Sequence, residues 1–196
     1  MLIKDHSEIL FCRRNATKVI IPNYITEISF SAFQDCINLV SISFEENSSL
    51  ESIYDSAFND VPGQENLVIP ASVKNVYKYA FLGMDNLKTI VFLGEEVKIS
   101  KGVFGCCRNL VSVSFPNAKK IIYDNEIVKK TKIYVKENAE ITGQEIDQKR
   151  ENIEFIVEIQ ESKDVENLVF EQDKHLNEAE NQEKNENNTS KCCLLI

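Results

Sequence analysis

The chain has 196 residues, of which 43% are hydrophobic, enough for one ordinary core or a short repeat array. Its net charge is −9, but residues 145–196 hold fourteen acidic and six basic residues and so account for −8 of that charge. A near-neutral body with an acidic tail lacks the basic face that phosphate contacts require, so nucleic-acid binding is not expected.

The N-terminal segment, residues 1–16, is expected to form a cap or hairpin over the array that follows. Its apolar stretch Ile9-Leu10-Phe11 is followed by the polar stretch Arg13-Arg14-Asn15. The first residues become charged before a signal-peptide core could form, and no window reaches the roughly 18 apolar residues of a spanning helix. The chain is therefore expected to stay in the cytosol, with its six cysteines as reduced thiols.

A repeat of mostly 23 residues dominates residues 17 to 135. Its clearest mark is an apolar-Phe pair at steps of 25, 23 and 23 residues: Ala32-Phe33, Ala57-Phe58, Ala80-Phe81 and Val103-Phe104. An aliphatic residue precedes each pair, and a fifth continues the series: Ile28, Ile53, Val76, Ile99 and Ile122. A two-residue insertion within residues 45–49 explains the one longer step, and its polar composition predicts a surface loop.

Each copy also contains an apolar-x-apolar unit that predicts a short strand. The five units are Val19-x-Ile21, Ile42-x-Phe44, Leu67-x-Ile69, Ile90-x-Phe92 and Val113-x-Phe115. A period of 23 residues is too short for paired helices, so one strand per coil is predicted to stack at about 4.8 Å in a parallel ladder. No coil can bury its apolar residues alone, so stability must come from neighbours and the ends need caps.

The repeat resembles the BspA-like leucine-rich repeat. The resemblance rests on the pattern Ile-Pro-x-x-apolar-x-x-apolar-x-x-x-Ala-Phe-x-x-apolar-x-x-Leu in residues 21–39 and 69–87. It implies a β-rich solenoid, an arc of about five coils with the strand ladder on its concave face, and a binding role. Gln64 departs from the pattern in the Leu position, Val103 departs in the Ala position, and the fifth copy decays, with Ile127 in the Phe position and Ile133 in the Leu position.

The cysteines and histidines do not indicate a metal or catalytic centre. Cys36 and Cys107 take the position that Val61 and Met84 fill in other copies, which predicts core packing. His6 and His175 lie in opposite terminal regions, so no histidine-based centre is assembled in the array. No catalytic residue, metal ligand or cofactor is predicted, and enzymatic activity is not expected.

A candidate partner-binding face follows from the alternation of the strands. Its members stand between inward-facing residues and are predicted to point outward: Ile20, Ser43, Val68, Val91 and Ser114. Small polar and β-branched side chains suit a protein partner without specifying one. A sheet surface that is only solvated is the alternative.

The C-terminal part is expected to comprise a cap or extension over residues 136–176 and a disordered tether over 177–196. Alternation in Ile153-x-Phe155-x-Val157-x-Ile159 suggests a last strand. Beyond residue 177 the chain has too few apolar residues to offset the entropy of ordering.

The last four residues, Cys193-Leu194-Leu195-Ile196, match the Cys-aliphatic-aliphatic-X signal for prenyl transfer to the cysteine. A prenyltransferase would read Leu194, Leu195 and Ile196, and an aliphatic final residue favours geranylgeranyl over farnesyl. One prenyl chain binds membranes only marginally, so Cys192 is a candidate for palmitoylation as a second signal. The alternative is that Cys192 is a bystander thiol.

These features together predict a non-enzymatic adaptor or scaffold that binds a protein and is held by its lipid on the cytoplasmic face of a membrane, with a soluble cytosolic pool. The resemblance offers a competing interpretation, a BspA-like cell-surface adhesin exported without a conventional signal peptide. A repeat remnant with no partner is a third.

Overall fold

A computed structural model describes residues 1–124, 131–143 and 153–156. Its regular structure in these ranges consists of fifteen short strands and no helix. In chain order the strands are β1 (Leu2–Lys4), β2 (Glu8–Phe11), β3 (Lys18–Ile21), β4 (Glu27–Ile28), β5 (Ser41–Phe44), β6 (Ser52–Ile53), β7 (Asn66–Ile69), β8 (Asn75–Val76), β9 (Thr89–Phe92), β10 (Glu96–Ile99), β11 (Ser112–Phe115), β12 (Lys120–Tyr123), β13 (Lys132–Lys136), β14 (Glu140–Thr142) and β15 (Ile153–Ile156).

The strands form two parallel ladders, which wind into a β-solenoid of about six turns. The even ladder has the order β1-β2-β4-β6-β8-β10-β12-β14, and only the β1–β2 pair in it is antiparallel. The odd ladder runs β3-β5 and, after a break, β7-β9-β11-β13-β15. The sequence predicted about five coils, and β2 adds a further level because it pairs in parallel with β4.

The prediction of one strand per coil is wrong, because each coil contributes one strand to each ladder. The five apolar-x-apolar units are confirmed as β3, β5, β7, β9 and β11. The second strand contains the aliphatic residue that precedes each apolar-Phe pair. Ile28 lies opposite Ile53, Ile53 opposite Val76, and Val76 opposite Ile99, so this position is itself extended and pairs with its equivalents.

The Phe side chains of the repeat stack along the core. Phe33, Phe58, Phe81 and Phe104 are buried, and their successive ring centroids lie 4.8, 5.5 and 6.1 Å apart with nearly parallel planes. Offset-stacked aromatic pairs add about 0.5–1.5 kcal/mol each beyond the area that they bury. The stack therefore holds neighbouring coils together and fixes their register.

Two residues in each turn adopt left-handed backbone conformations at equivalent positions. One precedes the apolar-Phe pair (Ser31, Ser56, Tyr79, Gly102) and the other lies four residues later (Asp35, Asp60, Gly83, Cys106), with φ between 53° and 72°. L side chains are strained there by about 1–2 kcal/mol. The conformation directs N–H groups to the next coil, since Ser31 donates to the carbonyl of Asp55 at 3.1 Å and Asp35 donates to that of Asn59 at 3.0 Å.

Gln64 accounts for the break in the odd ladder between β5 and β7. Its side-chain oxygen accepts a hydrogen bond of 2.7 Å from the backbone N–H of Ile42 in β5. Gln64 belongs to the following coil. Its side chain therefore accepts from the Ile42 N–H, the donor through which β5 would otherwise pair with β7. The departure from Leu noted in the sequence thus replaces one backbone hydrogen bond by a side-chain bond.

The register of the fifth copy differs from the sequence prediction by one residue. Tyr123, not Ile122, lies opposite Ile99, and Ile121 and Tyr123 are buried whereas Ile122 is half-exposed. The connection from Phe115 to the even ladder is one residue longer than the connection from Phe92, which shifts the alternation.

Ile133 does not occupy the Leu position. It lies in β13 opposite Val113 and begins the odd strand of the next coil, in which Val135 lies opposite Phe115. The predicted last strand is confirmed over Ile153–Ile156, which pairs in parallel with β13, and residues 157–159 lie outside the described ranges, as does Ile127.

Truncating Phe81 to Ala is expected to lower the free energy of unfolding by about 3–5 kcal/mol, because a cavity opens between two stacked neighbours. Phe30→Ala is the matched control: Phe30 is 68% exposed, so the same deletion should change stability by less than about 0.5 kcal/mol. Chemical denaturation measures both. Equal losses would contradict the register of the Phe stack.

Gln64→Ala should destabilise the fold by about 1–3 kcal/mol, since the Ile42 N–H would be left without its acceptor. Gln64→Glu keeps an acceptor oxygen on a side chain of the same length and should recover most of this loss at neutral pH. The two variants are compared by denaturation. If they were equally unstable, hydrogen bonding to Ile42 would not be the role of Gln64.

Candidate interaction surfaces

The described residues contain no group of three or more His, Cys, Asp and Glu side chains that could hold a metal ion. They also contain no helix long and apolar enough to span a membrane.

The predicted partner-binding row is less exposed than its alternation suggested. Ile20 and Ser114 are half-exposed, whereas Ser43, Val68 and Val91 are buried, with exposed fractions of 7, 6 and 3%. Paired strands bring equivalent side chains within about 4.8 Å of one another, and Ser43 lies opposite Ile20 and Val68 opposite Val91. These three side chains thus offer little accessible surface to a partner, and the outward direction and binding role of the row stay predictions.

The structure places Cys36 and Cys107 in the core, as predicted from the shared position with Val61 and Met84. The Cys107 thiol donates a hydrogen bond of 3.0 Å to the carbonyl of Phe81, and burial raises its pKa to about 12. Cys106 beside it is exposed. The two adjacent thiols therefore differ sharply in access.

A pair of tyrosines lies on the outward side of the even ladder. Tyr54 and Tyr77 stack with ring centroids 4.9 Å apart and planes 2° from parallel. Burial raises the pKa of Tyr54, and the nearby carboxylate of Glu27, which accepts a hydrogen bond from its hydroxyl, acts in the same direction. Glu8 next to it accepts a hydrogen bond from Ser29 and lies 3.7 Å from Lys4, so this surface satisfies its polar groups internally.

Ion pairs connect successive coils on the exposed surface. Glu51 pairs with Lys74 at 2.8 Å, Glu65 with Lys88 at 2.7 Å, and Glu95 with Lys119 at 2.7 Å. All six side chains are more than half exposed, so each pair stabilises by at most about 1 kcal/mol. Their main consequence is a well-solvated surface on these coils.

A cluster of exposed apolar side chains on the N-terminal coils was missed by the sequence reasoning. Phe30 is 68% exposed, Ile37 66% and Val40 52%. Comparing the outward positions of the repeat from copy to copy would have found it, because the other copies carry mostly charged residues there. The predicted binding residues were chosen from the strands alone, whereas Phe30, Ile37 and Val40 lie between the end of β4 and the start of β5.

The predicted lipidation residues, Cys192 and Cys193, and the recognition residues Leu194, Leu195 and Ile196 lie outside the described ranges. Their roles stay predictions.

The two ladders, the stacked Phe core and the repeated turns define a leucine-rich-repeat solenoid. A family model described as the BspA type leucine-rich-repeat region matches residues 5–134 in six copies, and the chain belongs to this family. No curated protein matches the chain.

Two solved structures are similar to the chain. A leucine-rich repeat protein from Bacteroides ovatus is 18% identical with a TM-score of 0.42, and the match covers 70% of this chain and 55% of that one. The pneumococcal vaccine antigen PcpA is 13% identical with a TM-score of 0.31, with 72% of this chain and 66% of that one covered. The chain thus spans about half the length of the Bacteroides ovatus protein that it matches.

A thiol reagent should distinguish the four cysteines of the array in a Cys192→Ser/Cys193→Ser variant. Cys106 should react at once in the native protein at pH 8, whereas Cys12, Cys36 and Cys107 should react only after unfolding, because they are buried. Titration with a chromogenic disulfide checks this expectation. Fast reaction of two or more thiols in the folded protein would contradict the burial described here.

Proposed function

We propose that the chain is a protein-interaction module of the adaptor or scaffold kind, held on the cytoplasmic face of a membrane by a prenyl group on Cys193. A soluble cytosolic pool accompanies the bound form, because one prenyl chain binds reversibly. Geranylgeranyl is the lipid that the aliphatic Ile196 favours.

The observation that carries the binding role is the pair of parallel ladders, in which paired strands of successive coils present their side chains at a spacing of about 4.8 Å. Such a surface needs little reordering when a partner binds, which reduces the entropic cost of association. Leucine-rich-repeat proteins of this family are generally non-enzymatic, which agrees with a binding role.

The support for the tether is the sequence Cys193-Leu194-Leu195-Ile196. Prenyl transfer needs an accessible thiol, two aliphatic residues and a free terminal carboxylate. A second signal is required for durable binding, and a polybasic segment is not present beside the motif, where Lys191 is the only basic residue after Lys184. Reversible palmitoylation of Cys192 would supply that signal.

Cys193→Ser is expected to move the protein wholly into the soluble fraction of its native cell, because no prenyl group can be attached. Cys192→Ser keeps the prenyl site and should only shorten the time spent on the membrane. Subcellular fractionation followed by intact mass spectrometry of the membrane fraction measures both effects.

The mass spectrum also reports the lipid, trimming of the last three residues and where the mature chain ends. Unchanged membrane association of the Cys193→Ser variant would refute the tether. Labelling of intact cells by a membrane-impermeant reagent would instead favour the surface-adhesin interpretation.

A further inference from the structure

The repeat allows equivalent positions to be compared between coils whose turns share the same two left-handed residues. Three positions frame each turn: three residues before the stacked Phe, four residues after it and seven residues after it. In the coil of Phe33 they are Phe30, Ile37 and Val40; in the following coils they are Asp55, Pro62 and Glu65, then Lys78, Asp85 and Lys88, then Lys101, Arg108 and Val111.

Only the coil of Phe33 carries large apolar side chains at all three positions, and all three are more than half exposed. The other coils show that charged residues fit the same positions, since Asp85, Lys88 and Arg108 are exposed there. The backbone therefore does not require apolar residues at these sites. Large apolar side chains gathered on a surface mark an interaction site.

Two further exposed side chains lie on the adjacent N-terminal segment, which is joined to the coil of Phe33 by a hydrogen bond of 2.8 Å from the Cys12 N–H to the Ala32 carbonyl. Phe11 is 43% exposed and lies in β2, two residues beyond Ile9, which pairs with Ile28 of β4; Phe30 is equally displaced from Ile28. The Arg14 guanidinium lies over the Phe11 ring, 4.7 Å from its centroid. The same guanidinium lies 3.7 Å from the sulfur of Cys36, the residue before Ile37. Arg14 therefore contacts both Phe11 and the coil of Phe33.

The Arg14 guanidinium has no carboxylate within salt-bridge distance among residues 1–124 and 131–143. Its hydrogen-bond acceptors there are the Cys12 carbonyl at 3.3 Å and the Cys36 sulfur, both weak at these distances. An arginine that is held over an aromatic ring and keeps free donors is preorganised for a planar carboxylate. Arginine and aromatic side chains are also the residues that dominate the binding energy of protein interfaces.

We infer that Phe11, Arg14, Phe30, Ile37 and Val40, the N-terminal surface, bind a segment of a partner protein that places a carboxylate next to large apolar side chains. This inference rests on the proposed role in protein binding and gives the location and the chemistry of the contact. A symmetric contact between two copies suits this surface less well, because its five side chains provide one cation and no anion.

The test uses the full-length Cys192→Ser/Cys193→Ser protein and a phage-displayed library of random twelve-residue peptides. Selected peptides are expected to combine Asp or Glu with Leu, Ile, Phe or Trp, and their synthetic forms are measured by fluorescence anisotropy. Phe30→Asp/Ile37→Asp introduces the residues found at Asp55 and Asp85, so folding should be preserved. It should weaken binding by about tenfold or more, as loss of an interface hot spot does.

Val111→Glu is the matched control, because it places an acidic residue at an exposed apolar position on a distant coil, where Glu65 is the natural precedent. It should leave the affinity unchanged. Arg14→Gln should weaken the acidic peptides and leave their Gln-substituted forms, in which each acid is replaced, unaffected. Phe30→Asp/Ile37→Asp thus tests the apolar contact, and Arg14→Gln tests the contact with the carboxylate.

Peptides that bind the Phe30→Asp/Ile37→Asp variant as well as the unsubstituted protein would refute the N-terminal surface while leaving a binding role for the array intact. Selection of no peptide, or of peptides without acidic residues, would also refute it. Self-association in sedimentation that Phe30→Asp/Ile37→Asp abolishes would assign the surface to a second copy instead. Membrane fractionation reports on the tether independently of all these outcomes.

Discussion

Coil-to-coil stacking of buried aromatic and aliphatic side chains is the interaction on which the rest of the structure depends. A single coil of 23 residues has at most two short strands and cannot bury its Phe without the coils on either side. The ring spacing of 4.8 Å between Phe33 and Phe58 equals the spacing of paired strands, so side-chain packing and backbone pairing favour the same register. Ser31 and Asp35 keep strained left-handed backbone conformations because their N–H groups donate hydrogen bonds to carbonyls of the next coil.

The solenoid could be predicted from the sequence because, in a repeat fold, the same residue type occurs at the same structural position in several copies. Four apolar-Phe pairs and five apolar-x-apolar units fixed the core residues and the odd strands. The second strand could not be predicted as reliably, since β4, β6 and β8 have only two residues each and show no alternation. Ile122 and Ile133 were misplaced where the copies decay, because a change in the spacing between copies cannot be detected once the Phe is absent.

The sequence was less informative about surfaces. Alternation gives the direction of a side chain but not the coverage that its neighbours provide, so it could not predict that Val68 and Val91 are buried. Strand alternation also does not predict the exposure of Phe30 and Ile37, because these residues lie outside the strands. Gln64 illustrates the remaining difficulty: its substitution for Leu was visible, but its hydrogen bond to Ile42 depends on the adjacent coil.

The position of the N-terminal surface is consistent with a tether at the other end of the chain. Five coil steps separate β3 from β13, which at about 4.8 Å per step is about 24 Å. The lipid proposed for Cys193 would belong to the part of the chain that follows β15, and β15 pairs with β13. Within the described ladders, the coils with Phe30, Ile37 and Arg14 lie at the end opposite to β15. The proposed protein contact and the proposed lipid attachment thus involve different coils, which is why the test of one does not depend on the test of the other.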